Sequence, residues 1–180
     1  MRGTRLSFSI VGLLLIGVAG ATIAYRFRYP YGWRPACLPC VLGALRTYAL
    51  NHNGNFPTDT QGPQEALRQL YPVYLADWKL LAGLSGDRKE LERDMSGHLG
   101  LSDSASSWVY WPGLKLDDDP DIAVIWERRS GVRFDGSRAH GREVGFVGGD
   151  MRQISDAAWG AFVRDQAQMR EQAFTARKGN

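Results

Sequence analysis

The chain opens on a stretch with no alternation of apolar and polar positions. Residues 6–25, LSFSIVGLLLIGVAGATIAY, are twenty positions without a charge. As an α-helix such a run is about 30 Å long, the thickness of a bilayer's hydrocarbon core. The pattern predicts a membrane segment. Two readings share it: a retained anchor, and a signal peptide cleaved behind the small residues Ala19, Ala21 or Ala24. The run exceeds the ~7–15 residues of a usual signal-peptide core, which favours the anchor.

After it the backbone grammar changes. In RFRYPYGWRPACLPC, Pro30, Gly32, Pro35 and Pro39 remove helix donors and force extended or turned chain, giving a Pro-rich neck over 26–39. Tyr25, Phe27, Tyr29, Tyr31 and Trp33, interleaved with Arg26 and Arg28, suit a headgroup layer. Over residues 40–51, Val41, Leu42, Leu45, Tyr48 and Ala49 share one face and predict an amphipathic helix. Asn51-His52-Asn53-Gly54 stops it. A short helix from Pro63 buries Ala66, Leu67, Leu70 and Tyr71 before Pro72 interrupts it. Residues 84–105 are polar and read as loop, with one helical turn at 89–94.

Short apolar runs then predict strands at 107–111, 122–126, 144–147 and 151–154. The last two are joined by a turn on Gly148-Gly149-Asp150, residues that tolerate left-handed backbone. From Ser155, an N-cap, a final helix turns Ala158, Trp159, Phe162 and Val163 inward and then becomes polar. The fold class is α+β: a transmembrane helix, an amphipathic helix packed on a small antiparallel sheet, and a C-terminal helix. Its divisions are a cytoplasmic tail at 1–5, an anchor at 6–25, the neck at 26–39, a domain at 40–175 and a disordered tail at 176–180.

Charge refines this picture in two ways. The formal net charge is +3, but residues 1–25 hold two arginines and no acid, leaving 20 bases against 19 acids. Nothing there forms the clustered cationic face that a nucleic-acid backbone requires. Arg2 and Arg5 place the N-terminus in the cytoplasm by the positive-inside rule, although Arg26, Arg28 and Arg34 follow on the other side. The reading is a single-pass inner-membrane protein with its C-terminal domain outside the cytoplasm.

Candidate chemistry is sparse. Cys37 and Cys40 form a C-x-x-C opening onto a helix, where the helix N-terminus lowers a thiol's pKa, as in thiol-disulfide exchange. The plainer readings are a local disulfide of an oxidising compartment, or two idle thiols. Val41 after the second cysteine excludes haem attachment, and His52, His98 and His140 lie at no zinc-ligand spacing. Asp117, Asp118, Asp119 and Asp121 are candidate calcium ligands, against the plainer reading of a solvated loop. There is no G-x-S-x-G elbow, H-E-x-x-H or phosphate-cradling glycine loop. No catalytic residue, cofactor or small-molecule substrate is identified.

One resemblance runs through residues 40–160. Cys40-Val-Leu-Gly-Ala-Leu-Arg-Thr-Tyr-Ala-Leu-Asn-His-Asn-Gly-Asn-Phe-Pro, Leu67-Arg-Gln-Leu-Tyr-Pro-Val-Tyr-Leu and Val109-Tyr-Trp-Pro-Gly-Leu resemble successive steps of the pseudopilin-like, prepilin-type H-x9-DG domain proteins. His140 and Asp150 reproduce the H-x9-D spacing, with Met151 in place of the glycine. The usual prepilin processing motif ahead of the apolar segment is lacking, and Gly83 stands where the family carries its second cysteine. The resemblance implies a pilin-like domain, with Cys40 paired locally to Cys37. It also implies a non-catalytic role, structural or interactive, in type II secretion, type IV pilus or surface assembly. The partners it implies are the membrane and other envelope or pilin-like proteins. Alternatives are a membrane-tethered thiol-disulfide oxidoreductase using Cys37 and Cys40, and a secreted domain released by signal peptidase. His140 and Asp150 are expected to meet across the last hairpin and tie loop to sheet.

Overall fold

An all-apolar helix offers no face for a core to select. The computed structural model describes residues 3–29, 36–97, 100–133 and 135–179, with side chains of the first helix from residue 12 onward. That helix, α1 (Gly3–Arg28), contains the uncharged run. Its Leu13, Leu14, Leu15, Ile16, Val18 and Ile23 stay 63–73% exposed. Among the described residues no helix is long and apolar enough to cross a membrane. The stretch expected to span at 6–25 is helical, but its described part does not support a membrane span; the side chains at its front, up to residue 11, lie outside those described.

The neck is shorter than expected. α1 runs on to Arg28 and α2 (Leu38–Asn51) begins two residues before the expected 40, with Cys37 as N-cap. Pro30 and Pro35 fall outside the described residues. Leu38, Val41, Leu42, Leu45 and Ala49 of α2 form a buried stripe at helical spacing. α3 (Pro63–Arg68) buries Ala66 and Leu67. Leu70 is buried beyond it, but Tyr71 is not and stands 37% exposed. Residues Trp78–Ala82 form a 3-10 turn that the sequence did not announce, closed by Gly83 in left-handed backbone. The single turn expected at 89–94 is a full helix, α4 (Arg88–Ser96). Asp87 caps it by accepting from the Lys89 and Glu90 N–H groups.

The four strands lie where the apolar runs put them: β1 (Trp108–Tyr110), β2 (Ala123–Glu127), β3 (Arg142–Phe146) and β4 (Met151–Ile154). They pair in that order as an antiparallel meander. β2 is buried at every position, because both faces are covered. Val124 and Ile125 join the larger core with α2. Ala123 and Trp126 face a smaller core with Val144, Phe146, Trp159 and Phe162. Two consecutive residues can share a face because the ladder shifts register between Ala123 and Ile125, a bulge.

The β3–β4 turn is a three-residue loop. Gly149 N–H donates to the Phe146 carbonyl at 2.9 Å, and Phe146 N–H donates to the Asp150 carbonyl at 3.1 Å. Gly149 takes the left-handed position at φ +96°. The turn therefore starts at Val147, one residue earlier than expected. Arg46 of α2 lies across it, donating to the Val147 carbonyl at 3.0 Å.

Ser155 caps α5 (Asp156–Lys178) by accepting from Ala158 N–H at 3.2 Å. Trp159 stacks edge-on to Trp126 at 5.9 Å, and Phe162 to Phe146 at 6.1 Å. The second half of α5 does not leave the domain. Met169 and Ala173 pack on the larger core, and Gln166 is buried. Arg177, placed in the expected disordered tail, is helical and paired with Asp118.

Candidate functional site

Four arginines, Arg128, Arg129, Arg133 and Arg138, sit in the connection between β2 and β3 against the single acid Asp135, and Arg142 follows as the first residue of β3. The connection folds on itself as a small arm. Val132 bridges Arg138, Gly131 N–H reaches the Gly141 carbonyl at 2.9 Å, and Arg133 N–H reaches the Ser137 carbonyl at 2.8 Å. Desolvation pushes the Asp135 carboxyl up, but hydrogen bonds from Ser137 and the nearby Arg133 outweigh it and hold the group below the usual carboxylate range.

The arm meets the end of α1. Arg138 N–H donates to the Arg28 carbonyl at 2.8 Å, and its Nε donates to the Phe27 carbonyl at 2.9 Å. Its guanidinium lies 4.6 Å from the Phe27 ring centroid. A helix leaves its last carbonyls without partners, and a cation there also favours the helix dipole. Phe27, Arg28, Arg133, Ser137 and Arg138 line a cleft of about 320 Å³ at this junction.

Cys37 and Cys40 are joined in a disulfide, the local bridge among the readings the sequence left open. Cys37 Sγ also accepts from Cys40 N–H at 3.2 Å, so the bridge closes the first turn of α2. Cys40 is exposed and Cys37 half-buried.

Beneath the arm lies a residue that the sequence reading passed over. Glu127 is only 3% exposed. Its Oε2 accepts from Leu84 N–H at 2.9 Å and the Ser107 hydroxyl at 2.8 Å, and its Oε1 from the Ser85 hydroxyl at 2.9 Å. Burial nevertheless pushes its pKa up, with those hydrogen bonds pulling the other way. The signal was available: a glutamate ends the run AVIWE at an inward-facing parity. A void of only about 10 Å³ beside Leu38, Leu84, Trp108 and Val132 leaves no room for a substrate there.

The expected meeting of His140 and Asp150 does not occur. Arg142 pairs with Ile154 at one end of the β3–β4 ladder and Gly145 with Met151 at the other, so the two residues flank opposite ends. Asp150 instead accepts from Arg152 Nε at 2.8 Å, and the His140 carbonyl accepts from Gln153 at 3.3 Å. Nine intervening residues are an antiparallel ladder's length plus its turn; they separate the pair rather than join it.

Asp117, Asp118, Asp119 and Asp121 sit at the far end of the sheet, where Gly148 N–H reaches the Pro120 carbonyl at 3.0 Å. Arg177 pairs with Asp118, Arg152 pairs with Asp121, and Asp119 accepts from Asp121 N–H at 2.9 Å. A cleft of about 500 Å³ between this loop and α5 carries Lys115 and Arg177 beside Asp117, Asp118 and Asp119, so neither sign of charge dominates it. Among the described residues no three His, Cys, Asp or Glu side chains group to hold a metal ion. His52 stacks on Tyr48 at 3.8 Å, and His98 lies outside the described residues.

No family model matches the chain, and no similar protein was found among the curated proteins or the solved structures.

Proposed function

We propose that the chain is a membrane-anchored, non-catalytic envelope protein of pseudopilin-like build, holding an α+β domain outside the cytoplasm for contact with other envelope or pilin-like proteins. One observation carries it. Six large aliphatic residues of α1, from Leu13 to Ile23, are exposed and contribute nothing to the domain core. Leaving such a side chain in water rather than burying it costs about 1.5–3 kcal/mol. A bilayer removes that cost for the whole helix at once. The uncharged run at 6–25 has spanning length, ends in Tyr25, and is followed by Arg26, Phe27 and Arg28.

The Cys37–Cys40 bridge supports an oxidising location for the domain. The pilin-like part rests on the resemblance of residues 40–160 together with an α-helix, α2, packed on an antiparallel meander. The reading is tested by alkaline carbonate extraction of cell membranes. The full-length protein stays in the pellet, needs detergent for release, and keeps the mass of an uncleaved chain. Recovery of the intact chain in the carbonate supernatant contradicts the anchor.

A further inference from the structure

The arm between β2 and β3 lies more than a hundred residues after α1, yet it is bonded to that helix's last turn through Arg138. Any surface that α1 enters is therefore the surface the arm faces. The arm carries four arginines and one acid, although the chain after residue 25 is balanced, with 20 bases against 19 acids. Arg128 is drawn toward Asp103 at 3.9 Å and Arg142 toward Asp156 at 3.6 Å. Arg133 and Arg138 are exposed beside Arg28 around the cleft at the junction. The acidic loop at 117–121 sits at the other end of the sheet.

From this we infer that the arm is a docking surface for anionic phospholipid headgroups, with the phosphate group seated in the cleft between Arg28, Arg133 and Arg138. The inference rests on the proposed membrane anchoring. Three arginines line this one cleft, and a guanidinium's paired N–H donors match the oxygens of a phosphodiester. Phe27 supplies the apolar wall that the glycerol end of a lipid needs, and Ser137 a polar one. Near an anionic leaflet each arginine contributes about a fivefold gain in binding. The arm thus sets which lipids surround the anchor and which face of the domain lies against the membrane.

The experiment titrates the full-length protein, solubilised in a nonionic detergent, with phosphatidylglycerol or phosphatidylcholine and counts bound lipid by native mass spectrometry. Phosphatidylglycerol binds in preference, and the preference weakens as salt rises through about 0.1 M. R28Q/R133Q binds it about twenty-five-fold more weakly, from two arginines at about fivefold each, while the exposed-helix control R164Q is unchanged. Both altered arginines are exposed, and an unchanged melting temperature shows that the fold is kept.

Equal binding of the two lipids, or an undiminished preference in R28Q/R133Q, overturns the inference. Displacement of the lipid by inorganic phosphate at equal concentration also overturns it, in favour of a site for the free ion. A chain that stays in the carbonate pellet without headgroup preference refutes the docking surface alone. A chain that leaves the pellet refutes the anchoring on which it rests.

Discussion

Inside the sheet's near end, Ser107 has one hydroxyl proton and two acceptors for it, Glu127 at 2.8 Å and the Ala82 carbonyl at 3.0 Å. An ionised Glu127 claims that proton. A protonated Glu127 donates to Ser107 instead, and the hydroxyl turns to Ala82. The second arrangement satisfies every group without a buried charge, which is why burial raises the glutamate's pKa. Because the folded form binds this proton more tightly than the unfolded chain, the contribution to stability is complete below about pH 4.3. It is lost as pH rises through the raised folded value. E127Q mimics the protonated state, so its unfolding free energy is flat across the range where the parent's declines, as read by urea titrations at a series of pH values. Gly83 belongs to the same arrangement, since a Cβ there would collide with the Ser107 hydroxyl and its backbone is left-handed. None of this was visible from local pattern, which sees Glu127 as one more charge after a strand; parity alone pointed inward. The Cys37–Cys40 spacing was legible because both partners lie within one helical turn.

At the scale of elements, α5 shows what a periodicity argument discards. Its second half looks polar, but those polar groups reach backbone. Gln166 accepts from Ala123 N–H at 2.6 Å and donates to the Asp121 carbonyl at 3.1 Å, holding the edge of the β2 bulge. Arg170 donates to the Pro112 carbonyl at 2.8 Å, and Arg177 to the Gly113 carbonyl at 2.7 Å while pairing with Asp118. Asp118 is only 7% exposed at its side chain, so R177A strands a buried carboxylate. The variant loses about 1–3 kcal/mol, measured by chemical denaturation, and R177K recovers part of it. The bridge at the start of α2 is the other local staple. Closing so short a loop is worth about 2 kcal/mol, and C37S/C40S loses that amount in the same measurement. If the pair were instead a redox site, the variant would abolish turnover of a disulfide substrate. The strands were legible because β-branched and aromatic runs end at turn formers. The 3-10 turn was not, because its residues, Trp78–Ala82, satisfy no period.

For the whole molecule, alternation and turn signals sufficed for an α+β fold with one meander. They did not reveal that the meander is covered on both faces, since that depends on where α5 lands. They also missed the separation of charge. In sequence the arginines of 128–142 are spread among glycines and serines; only the folding of the arm and its bond to α1 gathers them at one end, opposite the aspartates. His140 and Asp150 illustrate the converse, a spacing that looked like contact and is distance along a ladder.

The grip of Arg138 on the carbonyls of Phe27 and Arg28 has a mechanical consequence. A pull on the first helix reaches the body of the protein not only along the covalent chain but also through the clasp into β3. Twist or tilt of that rod is therefore felt by the sheet directly.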